Sequence, residues 1–238
     1  MNKGKLYKSS INDLENRGFI STNVEYLYNE NSFEELKILL KSKLATERTK
    51  SARFLSVFKN AETSELLCFA LEIERKLYTK IEICNSLVLL GEIAIPSIIS
   101  RLGKIGNNQY KDIPNKDFMK KSYPLPRDIC ARTLIRLGEI ALPKLCETLT
   151  SEIEKIISEA IDCIGFISFY NKTEICKINL LDCYEKMKVN DLIKWKIIRA
   201  MCAFPSSVSF LNSELLKNNN NRIKVEIERS LKIIQKKN

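Results

Sequence analysis

One seven-residue phrase occurs twice in this chain, as Leu90-Gly91-Glu92-Ile93-Ala94-Ile95-Pro96 and as Leu137-Gly138-Glu139-Ile140-Ala141-Leu142-Pro143. Ahead of each glycine, apolar residues recur at helical spacing (Leu87 and Leu90; Leu134 and Leu137), so the pattern predicts a helix ending there. Glycine suits the left-handed conformation just past a helix, and proline suits the first turn of the next one, where no amide donor is needed. Each copy therefore reads as helix, tight turn, helix, a helical hairpin. A third copy is read in Ile156, Ala160, Ile161, Ile164 and Gly165. A looser fourth is read in Ile197, Ala200, Met201 and Phe204, with Pro205 where the glycine would stand. A single hairpin cannot bury both apolar stripes, whereas stacked hairpins share a core.

The run Ile156 to Gly165 and the two Leu-Gly-Glu-Ile-Ala-Ile/Leu-Pro turns resemble HEAT repeats, especially the short bacterial kind seen in phycobilin-lyase-like proteins. The resemblance is clear over residues 80–170. It implies an all-α fold, a right-handed α-α superhelix of about five to six hairpins, with protein or nucleic-acid partners and no particular reaction. The arginine that usually follows the first apolar residue of the second helix is replaced by Ile83, Cys130 and Ile157. On this reading residues 1–238 form one domain: degenerate leading repeats over 21–77, clearer repeats over 78–216, an inserted loop at 103–126 and a capping helix at 222–236. Ser32-Phe33-Glu34-Glu35 is a capping box opening a leading helix, and another helix begins at Thr63 or Ser64.

Composition narrows the chemistry. There is no histidine, which removes the commonest general base and the mixed Cys/His zinc sites. The eight cysteines are scattered through helical patterns without a Cys-x-x-Cys pair and read as small reduced core residues. No catalytic residue, metal site or cofactor is expected. The polar start and the lack of an apolar run of membrane length predict a cytoplasmic protein without a membrane partner. The net charge of +10 is uneven: residues 1–60, 103–127 and 211–238 each carry +4, and the remainder sums to −2. Two explanations stand, a lysine-rich coding bias and an electrostatic footprint on an acidic partner.

Two groups of residues are candidates for partner binding. Gly91 and Gly138 lie 47 apart and Gly138 and Gly165 lie 27 apart, so residues 103–126 are an insertion. In it Tyr110, Lys111, Phe118, Lys120, Lys121 and Tyr123 interleave aromatic rings with charge. They either stack on bases or clasp an acidic peptide, or the rings fold back onto the core. The second group is the row of second helices, which usually lines the concave face. Aligned on the glycine, Asn85, Asp128, Arg132, Glu159, Asp162, Trp195 and Arg199 are expected to point outward, with Glu159 and Asp162 forming a solvated acidic turn and Trp195 either a contact residue or core. The mixed charge of this row suits a protein surface better than a duplex backbone. A non-enzymatic protein-binding scaffold is the leading expectation. A nucleic-acid-binding protein, architecturally similar to alkylpurine DNA glycosylases, is the alternative, and an accessory subunit carrying a prosthetic group is a third.

Overall fold

The computed structural model describes residues 10–21, 31–116, 118–187 and 189–236, and among them all regular structure is helical. The expected all-α class is met. The residues gather into two compact units, 1–94 and 95–238.

The first unit holds α1 (Ile11–Glu15), α2 (Phe33–Leu39), α3 (Ala45–Leu55), α4 (Ala61–Ile73) and α5 (Leu77–Leu90). Helix α2 opens with the capping box read from the sequence: Ser32 Oγ accepts from the Glu35 amide at 3.3 Å, and Glu35 Oε2 accepts from the Ser32 amide at 2.7 Å. Helix α4 starts slightly earlier than expected because Asn60 Oδ1 caps the Thr63 amide at 2.8 Å. α2 packs on α3, α4 on α5, and α3 on α5. Leu36, Leu55, Leu67, Leu71, Ile83 and Leu87 fill the space between them. A two-pronged bridge from Arg48 to Glu74 (2.7 and 2.9 Å) ties α3 to the end of α4, and Arg53 to Glu82 (2.7 Å) ties α3 to α5. Residues 22–30 of the expected leading repeats lie outside the described residues.

The second unit holds α6 (Ile95–Ile99), α7 (Ile129–Leu137), α8 (Leu142–Thr148), α9 (Glu154–Asn171), α10 (Lys177–Lys186), α11 (Asp191–Met201), α12 (Val208–Lys217) and α13 (Asn221–Gln235). α6 packs on α7, α8 on α9, α10 on α11 and α12 on α13, while α9 also meets α7 and α11, and α11 meets α13. The hairpin therefore differs from the one expected. The two helices that pack as a pair are the one after the glycine turn and the next one along, so the Gly138 turn joins successive pairs. Both glycines have the expected positive φ, 67° at Gly91 and 69° at Gly138, but with ψ at −136° and −143° they are not in the left-handed helical conformation; each opens a short 3-10 segment (Gly91–Ala94 and Gly138–Ala141). Gly165 does not end a helix. It lies within α9, which runs on to Asn171 and ends at Lys172 in the left-handed conformation (φ 57°).

Two further expectations are corrected. The stretch Leu77–Ile99, 23 residues long, has the length and apolar composition of a membrane-crossing helix, although half of it is buried in the protein. The cysteines are not all thiols: Cys146 of α8 is joined in a disulfide to Cys176 beside α10, their Cα atoms 6.1 Å apart.

The inserted loop 103–126 is held against the row α9–α11–α13. Arg229 of α13 donates from Nε to the Lys120 carbonyl (3.1 Å) and from Nη2 to the Ser122 carbonyl (3.0 Å), with the Phe118 ring 5.0 Å away, and Arg222 donates to the Ile113 carbonyl (2.9 Å). The Tyr123 ring enters a core of Cys202 and Ile233 flanked by Phe166 and Phe169. Gly165 makes the room for it. A Cβ built there would lie 2.0 Å from the Tyr123 hydroxyl.

The two glycines should respond differently to substitution. Around Gly138 the nearest atom to an added Cβ is Asn171 Nδ2 at 4.0 Å, so the penalty is purely conformational. Gly138→Ala should lower unfolding free energy by about 1–3 kcal/mol in denaturant titrations whatever its neighbours. Gly165 has ordinary helical geometry, where alanine is intrinsically better by about 0.5–1 kcal/mol. Gly165→Ala should therefore destabilise the natural chain but stabilise a Tyr123→Ala background. The same sign in both backgrounds would refute the account of this contact.

Candidate functional site: a buried charge network

The residues aligned as an outward row fall into two groups. Arg132 is exposed, its Nε donating to the Pro126 carbonyl (2.7 Å), and Asn85 is partly exposed in the first unit. Asp128, Glu159, Asp162, Trp195 and Arg199 are instead at most 4% exposed. The expected outward projection fails at these five because Glu159 and Asp162 face Lys196 and Arg199 of α11, Tyr110 and Tyr123 of the inserted loop lie against Trp195 and Arg199, and Asp128 caps α7 under Gln109. The solvated acidic turn at Glu159 and Asp162 is a buried one, and Trp195 is core.

The network is built from two helical doublets. Glu159 and Asp162 lie three apart on one face of α9, and Lys196 and Arg199 lie three apart on the facing side of α11. Lys196, fully buried, directs its ammonium to three acceptors on α9: the Ser158 carbonyl (3.0 Å), Glu159 Oε1 (2.8 Å) and Asp162 Oδ2 (2.9 Å). Arg199 Nη2 donates to Asp162 Oδ1 at 2.6 Å. The rest of its guanidinium lies among rings, with its central carbon 4.2 Å from Trp195, 5.7 Å from Tyr110 and 6.0 Å from Tyr123. The Tyr110 ring meets Trp195 edge-on at 5.7 Å and carries Arg127 on it at 4.0 Å. Weakly hydrated guanidinium on an aromatic face is a favourable way to hold a buried cation.

Asp128 extends the network. As the N-cap of α7 it accepts from the Ala131 amide (2.9 Å). Its second oxygen accepts from the Gly103 amide (3.2 Å) and from Gln109 Nε2 (2.7 Å), so the start of the inserted loop is pinned to the start of α7. Counted formally, Asp128, Glu159 and Asp162 contribute three negative charges and Lys196 and Arg199 two positive ones, leaving −1 in a buried place.

That excess falls on Glu159. Burial raises its pKa above the ordinary carboxylate value; Lys196 opposes the rise, and the charges of Asp162 and Asp128 add to it. Its Oε2 is buried without a hydrogen-bond partner. Asp162 goes the other way. Burial would raise it, but the Lys196 and Arg199 charges and their hydrogen bonds win, and its pKa lies below the ordinary value. Burial pushes the Tyr123 phenol well up, so the ring is a neutral packing group. Two buried carboxylates with opposite shifts is a pattern found at acid–base sites.

Of the loop candidates, Tyr110 and Tyr123 fold inward onto the network, Phe118 packs on Arg229, and Lys111, Lys120 and Lys121 are exposed. The sequence reading missed Lys196, Gln109 and Arg127. The first had a signal: Lys196 and Arg199 repeat the three-residue spacing of Glu159 and Asp162 with opposite sign.

The opposite shifts give a pH signature. A group raised above its unfolded value of 4.5, such as Glu159, contributes stability that is full below that pH and is lost as pH rises through the folded value. Asp162 contributes stability present above about 3.8 and lost as pH falls through its lower folded value. Glu159→Gln should therefore gain on the natural chain as pH rises above 4.5, by up to about 1.4 kcal/mol per pH unit within the titration window. Denaturant titrations between pH 4 and pH 7 read this directly. Parallel stability curves would show that Glu159 has no raised pKa.

No protein-family model matches the chain, and no curated protein matches it. Among solved structures it is similar to two engineered proteins known from crystals. One is 17% identical, with a TM-score of 0.40 over 87% of this chain and 99% of the other. The second is 15% identical, with a TM-score of 0.38 over 92% of this chain and 62% of the other. Likenesses at this level support no statement about function.

Proposed function

We propose that the protein is a non-enzymatic, HEAT-like α-solenoid binding module whose partner is an acidic segment of another protein. The repeated turns and the order in which α7, α9, α11 and α13 follow one another support the repeat reading. The buried row is not the binding surface, since its charged groups are engaged with one another and lie beneath Tyr110 and Tyr123.

The observation that carries the reading is a basic cleft of about 160 Å³ where the inserted loop meets α13. Lys120, Lys121, Lys232 and Lys236 surround it and are all exposed, while buried Ile233 gives it an apolar floor and Met119 and Val225 expose apolar surface at its edge. The lysines are close enough to repel: the Lys121 ammonium, with a further push from Lys232, lowers the pKa of Lys236. Such crowding of like charge is relieved by an anionic partner. The apolar floor and the carboxylate of Glu228 on its rim favour a peptide with one apolar anchor between acidic residues over a nucleic-acid backbone.

A fluorescent acidic peptide with a central leucine should bind with an affinity that falls as salt rises, and Lys121→Glu with Lys232→Glu should weaken it at least about tenfold. A random DNA duplex titrated in parallel should bind more weakly. Tighter, steeply salt-dependent duplex binding would replace this reading with nucleic-acid binding, and failure of both ligands to bind would dismiss it.

A further inference from the structure

A second cleft, of about 310 Å³, opens beside the buried network, between the start of the inserted loop and the first turns of α9 and α11. Its wall includes Gln109, Tyr110, Ser158, Glu159, Leu192 and Ile193. We propose that it is a binding site for a small primary alkylammonium ligand, with the ammonium held by Glu159.

Three observations converge on that chemistry. Glu159 is 2% exposed, and while its Oε1 takes the Lys196 ammonium at 2.8 Å and the Ser158 hydroxyl at 3.4 Å, its Oε2 has no donor. A buried carboxylate oxygen without a donor is costly, and a ligand N–H that reaches it removes the cost. With Glu159 ionised, the five buried groups of the network carry a formal charge of −1, which a ligand of charge +1 offsets, while Lys111, Lys155 and Glu154 stand at the exposed rim of the cleft. One part of the remaining wall suits a short alkyl chain: the Tyr110 ring, Leu192 and Ile193 are apolar surfaces, and an aromatic face also attracts an ammonium. A bare divalent metal fits poorly. It is held by several side-chain ligands at once, and among the described residues no group of three or more metal-binding side chains is assembled.

The cleft and the basic surface at α13 share no residue, so the two proposals are tested separately. The probe is n-butylamine, titrated into the full chain near neutral pH and followed by isothermal calorimetry and by chemical-shift changes of the Tyr110 ring. Sodium butyrate and n-butanol of the same length are the controls. Saturable binding of the amine alone is expected, weakened at least about tenfold by Glu159→Gln, which keeps the bond to Lys196 and so the fold. Leu192→Trp, which narrows the cleft without touching the network, should weaken it similarly. Absence of saturable amine binding up to about 10 mM, weaker than any useful recognition of a group this small, would overturn the proposal. So would equal binding of the amine and the alcohol, or undiminished binding by both variants.

Discussion

The bridge of Lys196 to Glu159 and Asp162 is the interaction on which the second unit depends. An ammonium buried without water must find an acceptor for each of its three protons, and Lys196 finds all three on one turn of α9. That requirement fixes the rotation of α11 about its axis and its position along α9. Buried isoleucines on both helices, among them Ile157, Ile161, Ile193 and Ile197, supply non-directional packing, and the polar contacts add the direction that packing lacks. Removing either side of the pair strands the other, which costs about 3–5 kcal/mol, far more than the intact pair contributes over an apolar replacement.

The inserted loop follows from the same constraint. Three carboxylates and two cations on adjacent helices would ordinarily face water. Here Gln109 and Gly103 bind Asp128, Tyr110 leans on Trp195 beside Arg199, and Tyr123 plugs the space over Gly165. The loop and the row, which looked like two separate binding surfaces in the sequence, are one another's partners. What they leave open is the cleft beside Glu159 and the lysine cluster at α13, and both are made by the loop as much as by the helices.

The helical class, the capping box at Ser32, and the positive-φ turns at Gly91 and Gly138 were legible because each rests on local chemistry: a side-chain cap, a glycine conformation, a proline at a helix start. Gly165 misled because a glycine that ends a helix and one that admits a ring look alike in sequence, and only the position of Tyr123, 42 residues earlier by number, separates them. The buried row misled for a related reason. Outward projection was inferred from helical phase alone, and phase is silent about a loop that later lies across it. The Lys196 doublet was readable, but as a pattern between two helices whose adjacency had first to be known. Cys146 and Cys176, 30 residues apart, carry no spacing signal at all.

The pocket at Gly165 also couples two parts of the chain that are remote in sequence. Tyr123 occupies the volume that a side chain at 165 would take, so the insertion cannot be shortened past that tyrosine without leaving a void in the second unit. A chain of the same design without the insertion would gain from alanine or something larger at 165, and one that keeps the insertion is bound to glycine there. Residue 165 thus serves as a one-letter record, readable in any related sequence, of whether the strap lies over the charge network or the network stands open to solvent.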